Sequence, residues 1–290
     1  MTGRGTSART AVIKLGGRAL EEAALRGVFA AELASLAGGG QAGGGQAGSG
    51  QAGAGQAGTW RVIVVHGGGA EVTAMSRRLG HEPRFHEGIR LTTADEMEVV
   101  DMVLAGSANK RLVRALSAAG VSAVGICGSD GPTLAAQPEA VPPGTRTGRI
   151  DGVDTLLLAT LTDAGFVPVV SPVCDDGAGG GINVNADTVA FRVATALDAD
   201  ALLFISDIDG VLKEGTVVRR LDPASADAEI EAGTITEGMI PKIRSSVAAV
   251  TAGVGRVHIG DYGAAGALRV LLDGARGTVI AAAADGAPSR

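Results

Sequence analysis

Lys14 sits in Ile13-Lys14-Leu15-Gly16-Gly17, where a short apolar run ends in two glycines. Glycines at the carboxyl end of a strand let the backbone approach a ligand and leave N–H groups free for anionic oxygens. The lysine adds a point charge at the same place, although a plain strand-to-helix turn with a surface lysine has the same pattern. The arrangement returns at Val65-His66-Gly67-Gly68-Gly69, where successive glycine amides suit an anion at a helix start. Neither segment is a Walker A loop, because no G-K-[ST] follows, and neither is G-x-G-x-x-G. His66 has the chemistry of a base, but a histidine beside a strand end is more often satisfied by local hydrogen bonds.

Four further segments carry polar groups in positions that invite chemistry. In Gly88-Ile89-Arg90-Leu91-Thr92 an arginine is set between a glycine and a threonine, which suits bidentate binding of a carboxylate. In Asn183-Val184-Asn185-Ala186-Asp187 two amides and a carboxylate precede a helical stretch. One helix cap needs less polarity than that, so Asn183 is read as a substrate contact and Asp187 as a group that orients lysines. Ser206-Asp207-Ile208-Asp209-Gly210-Val211-Leu212 follows a buried-looking strand, at the strand end where open α/β sheets bind ligands. Thr236-Glu237-Gly238-Met239-Ile240-Pro241-Lys242 opens a helix. A cation in that first turn opposes the helix dipole, which hints at an anionic partner for Lys242.

The elements that must position these groups alternate regularly. Short β-branched runs at residues 11–15, 61–65, 122–126, 167–170, 201–205, 256–259 and 278–281 read as strands, several apolar on both faces. Helical stretches at 20–36, 95–105, 108–119, 154–164, 186–197 and 240–252 fall between them. Such alternation predicts an α/β chain, a three-layer αβα sandwich around a central, mostly parallel sheet. Residues 38–58 break the pattern with GQAGG, GQAGS, GQAGA and GQAGT in tandem. Glycine at this density makes ordering costly in backbone entropy, so the expectation is a flexible surface insert between the first helix and the second strand.

Bulk composition narrows the function classes. Apolar residues are 46% of the 290-residue chain but aromatics only 2%, and the formal charge is −6. A nucleic-acid binder usually shows stacking rings and a basic face, so none is expected. Cys127 and Cys174 are the only cysteines and have no metal-finger spacing, so they read as buried thiols. No run reaches the roughly 18 apolar residues of a membrane helix, and MTGRGTSART lacks a signal-peptide core. The expectation is a cytoplasmic protein without membrane contact.

The order of the motifs is more specific than any one of them. K-x-G-G, V-H-G-G-G, G-x-R-x-T, N-x-N-A-D, S-D-x-x-G and G-M-x-x-K, with EMEVVDMVLAGSANKRLV between them, resemble the N-acetylglutamate kinases of the amino-acid kinase family. The resemblance runs from about residue 11 to 280, leaving out the glycine-rich insert. It implies ATP-dependent phosphorylation of the side-chain carboxylate of N-acetyl-L-glutamate, a step of arginine biosynthesis. Lys14 and Lys242 would flank the transferring phosphoryl group, with Asp187 holding both. Gly17, Gly68 and Gly69 would offer backbone N–H groups, while Arg90 and Asn183 would grip the acetylglutamate. Asp207, Ile208, Asp209, Gly210, Val211 and Leu212, with Thr234, Ile235 and Thr236, would form the ATP pocket. Mg²⁺ would be held mainly by the nucleotide phosphates, with no protein residue as its ligand.

The resemblance further implies an amino-terminal lobe, 1–180, that binds substrate and dimerises, and a carboxyl-terminal lobe, 181–290, that binds ATP. The short segment before the first strand and the tail LLDGARGTVI point to an arginine-insensitive homodimer rather than a ring. Glu237 and Pro241 depart from the usual pattern; proline is acceptable in a first helical turn, where its missing N–H is an orphan anyway. Two other readings stand beside this one. LGHEPRF and Ser129-Asp130-Gly131 are similar to a sister branch acting on carrier-protein-linked aminoadipate or glutamate, for which Arg77, Arg78 and Arg84 would supply a basic rim. The other is a non-catalytic amino-acid sensor on the same fold, against which the retention of Lys14, Lys242 and Asp187 argues.

Overall fold

The computed structural model describes residues 8–38, 60–86, 88–139, 144–235, 239–263 and 266–283. Nearly all of the GQAG repeat and Thr236, Glu237 and Gly238 lie outside the described residues.

Eight strands form the central sheet in the order Arg220–Leu221, Thr278–Ile280, Val257–Asp261, Ala201–Ser206, Arg9–Leu15, Trp60–His66, Val167–Ser171 and Ala123–Cys127. Only Val257–Asp261 against Thr278–Ile280 is antiparallel; the other neighbours run parallel. Helices cover both faces, so the expected three-layer architecture is present. Strand alternation sorts the core. Ala11, Ile13 and Leu15 pack on one face with Val62, Val64, Leu203 and Ile205, under the helix Ala23–Leu36. Val12, Ile63, Val65, Leu202 and Phe204 pack on the other, with Val189, Ala190 and Val193 of the helix Ala186–Ala196. Each fully buried Val, Leu or Ile contributes roughly 1.5–3 kcal/mol, so aliphatic side chains hold a core with few rings.

The same alternation decides where Lys14 points. It follows Ile13, so it shares the face of Val12 and of Phe204, its register partner. A slip of one residue would send it to the opposite layer.

A second, smaller sheet closes on itself from Leu134–Pro138, Thr147–Val153, Val173–Asp175 and Gly181–Val184. These strands lack long apolar runs and have no counterpart in the expected elements. Thr147 pairs with Asn183 in it.

Two helical expectations change. The stretch 20–36 breaks at Glu22, whose backbone is extended, into Arg18–Glu21 and Ala23–Leu36. The buried Arg26 explains the break: its Nη1 donates to the carbonyls of Leu20 at 2.7 Å and Glu21 at 3.2 Å, which a continuous helix would have used. Conversely, the expected gap near residue 106 does not exist. Ala94–Val100, Asp101–Ala108 and Asn109–Ala118 form one unbroken run, its middle third π-helical.

Candidate active site

The strand Arg9–Leu15 delivers Lys14 to the carboxyl edge of the sheet, facing the start of the helix Ala186–Ala196. Asn185 caps that helix, its Oδ1 accepting from Asp187 N at 2.7 Å. The cap places Asp187 in the first turn, where a carboxylate is favoured by the dipole. Lys14 Nζ lies 2.9 Å from Asp187 Oδ1. Lys242, in the first turn of Ile240–Thr251, lies 3.6 Å from Oδ2 of the same carboxylate, with its ammonium 5.7 Å from the centre of the Phe204 ring. Burial alone would raise the Asp187 carboxyl, but the two ammonium groups outweigh it and hold it below the usual range. Burial draws Lys242 down from the ordinary lysine range, against the pull of Asp187.

Lys14 and Asp187 line a cleft of about 520 Å³, as does Glu21, whereas Lys242 is not on its lining and is tied to it through Asp187. Lys14, Gly17, Gly68, Gly69, Arg90, Asn183 and Asp187 all line it. Gly17 sits at φ 57°, ψ −147°, a region open essentially to glycine, and an added Cβ would stand 2.4 Å from Asp207 Oδ2. Gly68 precedes the helix Gly69–Arg78, whose first amides have no intrahelical acceptor.

At the far wall Arg90 is buried and stacked 4.8 Å from the Phe85 ring centre. Its Nη2 donates to the Gly69 carbonyl at 3.1 Å and to the Thr73 hydroxyl. Its Nη1 is buried without a partner. An unmet buried donor costs about 1–3 kcal/mol, so the guanidinium is set up for an acceptor the protein does not supply. Thr147 braces this wall: its hydroxyl donates to the Arg90 carbonyl at 2.5 Å and accepts from Thr92 N at 2.9 Å. Asn183 Nδ2 donates to the Thr92 hydroxyl at 2.9 Å, leaving its amide oxygen for the cleft.

A cleft lined by Lys14, glycine residues and Arg90, with Lys242 joined to it through Asp187, suits an anionic ligand. Residues 9–261 match the sequence profile of the amino acid kinase family. The chain belongs to that family. It is 40% identical over 273 residues to an acetylglutamate kinase of Rubrobacter xylanophilus, covering 94% of this chain and 97% of the relative. It is 36% identical over 280 residues to an acetylglutamate kinase of Acaryochloris marina, covering 94% and 92%. The N-acetylglutamate synthase of Neisseria gonorrhoeae, complexed with coenzyme A and N-acetyl-glutamate, superposes with TM-score 0.78 at 26% identity, over 95% of this chain and 60% of that one.

Among the remaining expected residues of this amino acid kinase, the segment after Ala201–Ser206 does not line the cleft. Asp207 faces Arg18, accepting from its backbone N–H at 3.3 Å and pairing with its Nε at 3.5 Å. Asp209 pairs with Arg276 at 3.2 Å. Val211 and Ile235 are buried in the core layer that also holds Phe204, and Gly210 packs close to Thr278. Leu212 is exposed, at the start of a small hairpin with Thr216–Val217. Ile208 packs against the core layer, and the Thr234 N–H donates to the Glu229 carbonyl at 3.0 Å. Thr236 lies outside the described residues.

Thr73, Phe85, Leu104 and Thr147 also line the cleft and were not singled out by motif. Thr147 and Leu104 had no local signal, since their approach depends on the small sheet and on the π-helical run. Among the described residues no group of three or more His, Cys, Asp or Glu side chains is placed to hold a metal ion. No helix there is long and apolar enough to cross a membrane. Both cysteines are free, Cys174 buried and Cys127 half-buried.

Proposed function

We propose that the protein is an acetylglutamate kinase: it transfers the γ-phosphoryl group of ATP to the side-chain carboxylate of N-acetyl-L-glutamate. The observation that carries this reading is Asp187, on the lining of the cleft, pairing with both Lys14 and Lys242, while the same cleft presents the unpartnered Arg90 donor. The relatives named acetylglutamate kinase, matching nearly end to end, support the choice of acid.

A carboxylate is already a nucleophile, so no general base is needed. Phosphoryl transfer asks instead for alignment and for positive charge along the transfer line. In this reading Arg90 and Asn183 hold the α-carboxylate and amide end of the acceptor. Lys14 and the amides of Gly17, Gly68 and Gly69 meet the transferring oxygens. Lys242 neutralises the leaving side. Mg²⁺ would be held mainly by the nucleotide phosphates, as suits a metal that keeps several waters, and would add positive charge along the transfer line. Asp207, Ile208, Asp209, Gly210, Val211 and Leu212, with Thr234, Ile235 and Thr236, belong in this proposal to the nucleotide side, within a carboxyl-terminal lobe from residue 181. The amino-terminal lobe carries most of the acceptor cleft, completed by Asn183 and Asp187 from the start of the other lobe, and a homodimer contact; a reaction that consumes ATP suits the cytoplasm.

The test is ATP turnover with hydroxylamine trapping of the acyl phosphate, offering N-acetyl-L-glutamate, L-glutamate, L-aspartate and N-acetyl-L-aspartate. Hydroxamate formed selectively from N-acetyl-L-glutamate is the expected result. A folded, ATP-binding protein inert toward all four overturns the reading in favour of a carrier-linked acceptor or a sensor.

A further inference from the structure

We infer that His66 and Asn109 are positioning residues for the glycine turn 67–69, and that the π-helical segment Asp101–Ala108 brings Asn109 and Leu104 together against it. The inference rests on the kinase reading, which gives that turn its task.

The chain of contacts begins at a buried amide that does not itself line the cleft. Asn109 is wholly buried, and its Nδ2 donates to the Val169 carbonyl at 2.8 Å. A carbonyl only accepts, so this contact settles which end of the amide is NH₂. The same Nδ2 lies 3.1 Å from His66 Nε2, so that ring nitrogen must be the acceptor. The imidazole proton therefore sits on Nδ1, which is 2.7 Å from the Gly67 carbonyl and donates to it. Gly67 is also held from its other side, its N–H donating to the Leu15 carbonyl at 2.9 Å.

The consequence for the turn follows from peptide geometry. In a planar trans peptide the C=O and the following N–H point in opposite directions. With the Gly67 carbonyl pinned toward His66, the Gly68 N–H is aimed away from it, on the side where Gly68 lines the cleft. Beside the turn, Leu104 Cδ2, itself on the cleft lining, lies 2.8 Å from where a Gly68 Cβ would be, and Ala108 Cβ lies 3.9 Å away. That packing confines Gly68 on its Cβ side.

Leu104 and Asn109 are five residues apart. On an α-helix of 3.6 residues per turn they would stand about 140° apart, on different faces. A π-helix bonds residue i to i+5 and stacks such a pair. The π segment ends at Ala108, immediately before Asn109, so its register turns the hydrophobic stop and the hydrogen-bonding stop toward one turn.

Two conservative variants separate positioning from bulk packing. His66→Asn keeps an amide donor near the Nδ1 position and loses the Asn109 contact. His66→Gln keeps an acceptor near the Nε2 position and loses the donor to Gly67. Positioning predicts that His66→Gln lowers kcat about 100-fold, as misplacement by about 1 Å does, with the KM for ATP within about twofold. His66→Asn is expected to recover most of that loss at similar melting temperature. Hydrogen exchange of the peptide carrying the turn, read by mass spectrometry, should speed up in His66→Gln and not in His66→Asn. Equal kcat in the two variants, or unchanged exchange in His66→Gln, overturns the inference. Exchange needs no turnover, so an inert wild type would sink the kinase reading while still testing this one. If neither variant folds, long-range ¹H–¹⁵N correlation on the wild type decides. A proton on Nδ1 is expected, and a proton on Nε2 overturns the assignment.

Discussion

Lys14 and Lys242 do not touch each other; each reaches a different oxygen of Asp187, at 2.9 Å and 3.6 Å. The carboxylate lets two like charges stand close together in a partly buried setting without repelling each other out of position. Removing either lysine therefore removes transfer-line charge and leaves the other still paired. Lys14→Ala and Lys242→Ala are expected to fold and to lose about 100- to 1000-fold in kcat, by analogy with a lost oxyanion donor. Steady-state kinetics beside circular dichroism checks this, and near-wild-type turnover in either variant would remove the lysines from the mechanism.

Arg90 yields a prediction of a different kind, because it touches the acceptor and not the transferred group. Lysine at this position keeps the charge but cannot hold Gly69, Thr73 and a ligand carboxylate with one planar fork. A lost hydrogen bond to a charged group costs about 1.5–3 kcal/mol, or roughly 10- to 150-fold. Arg90→Lys should raise the KM for N-acetyl-L-glutamate by that factor and leave the KM for ATP nearly unchanged. A rise in both would place Arg90 in the fold rather than at the acceptor.

How far these contacts were legible in the sequence depends on their range. The layer that Lys14 faces follows from strand alternation alone, and the cap at Asn185 is a local pattern. The meeting of Asp187 with Lys242 is not local. Its sequence signals are a cation against the helix dipole at Lys242, which names no partner, and the order of motifs shared with a family, which does. The π-helical segment was invisible because its i to i+5 bonding has no local composition signal, and the expected helices 95–105 and 108–119 left a gap within it. The break at Glu22 was missed for the opposite reason: its cause is the guanidinium of Arg26 folding back onto two carbonyls. The small sheet around Thr147 escaped because its strands are short and only partly apolar, held by pairing with distant segments.

Two glycines in helical settings should respond to alanine with opposite signs. Gly27 lies inside Ala23–Leu36 with nothing within 4 Å of an added Cβ. Gly27→Ala should stabilise by about 0.5–1 kcal/mol through the unfolded chain's lost freedom. Gly68 has φ 141° and Leu104 in the way, so Gly68→Ala should destabilise by about 1–3 kcal/mol and abolish most activity. Urea unfolding of both variants checks the signs; a neutral Gly68→Ala would show that the turn relaxes freely.

Two histidines make stability depend on pH. Burial pushes the pKa of His66 and of His258 down to about 4. Both rings are therefore neutral in the folded protein at pH 5, while in the unfolded chain they take up a proton below about 6.5. The unfolded state binds more protons between those values, so stability is fully present above about pH 6.5 and is lost as pH falls toward 4. Each ring should cost about 2 kcal/mol by pH 5, since 1.5 pH units is that much free energy. Asp187 acts in the same direction at lower pH: its carboxyl is depressed, so its contribution goes only as pH falls below the ordinary carboxylate range. His258 is buried and does not line the cleft, so it is the histidine to remove. His258→Leu should lose about half of the change in unfolding free energy between pH 7.5 and pH 5, measured by urea titration at each pH. The same slope in variant and wild type would mean that His258 is not held neutral by the fold.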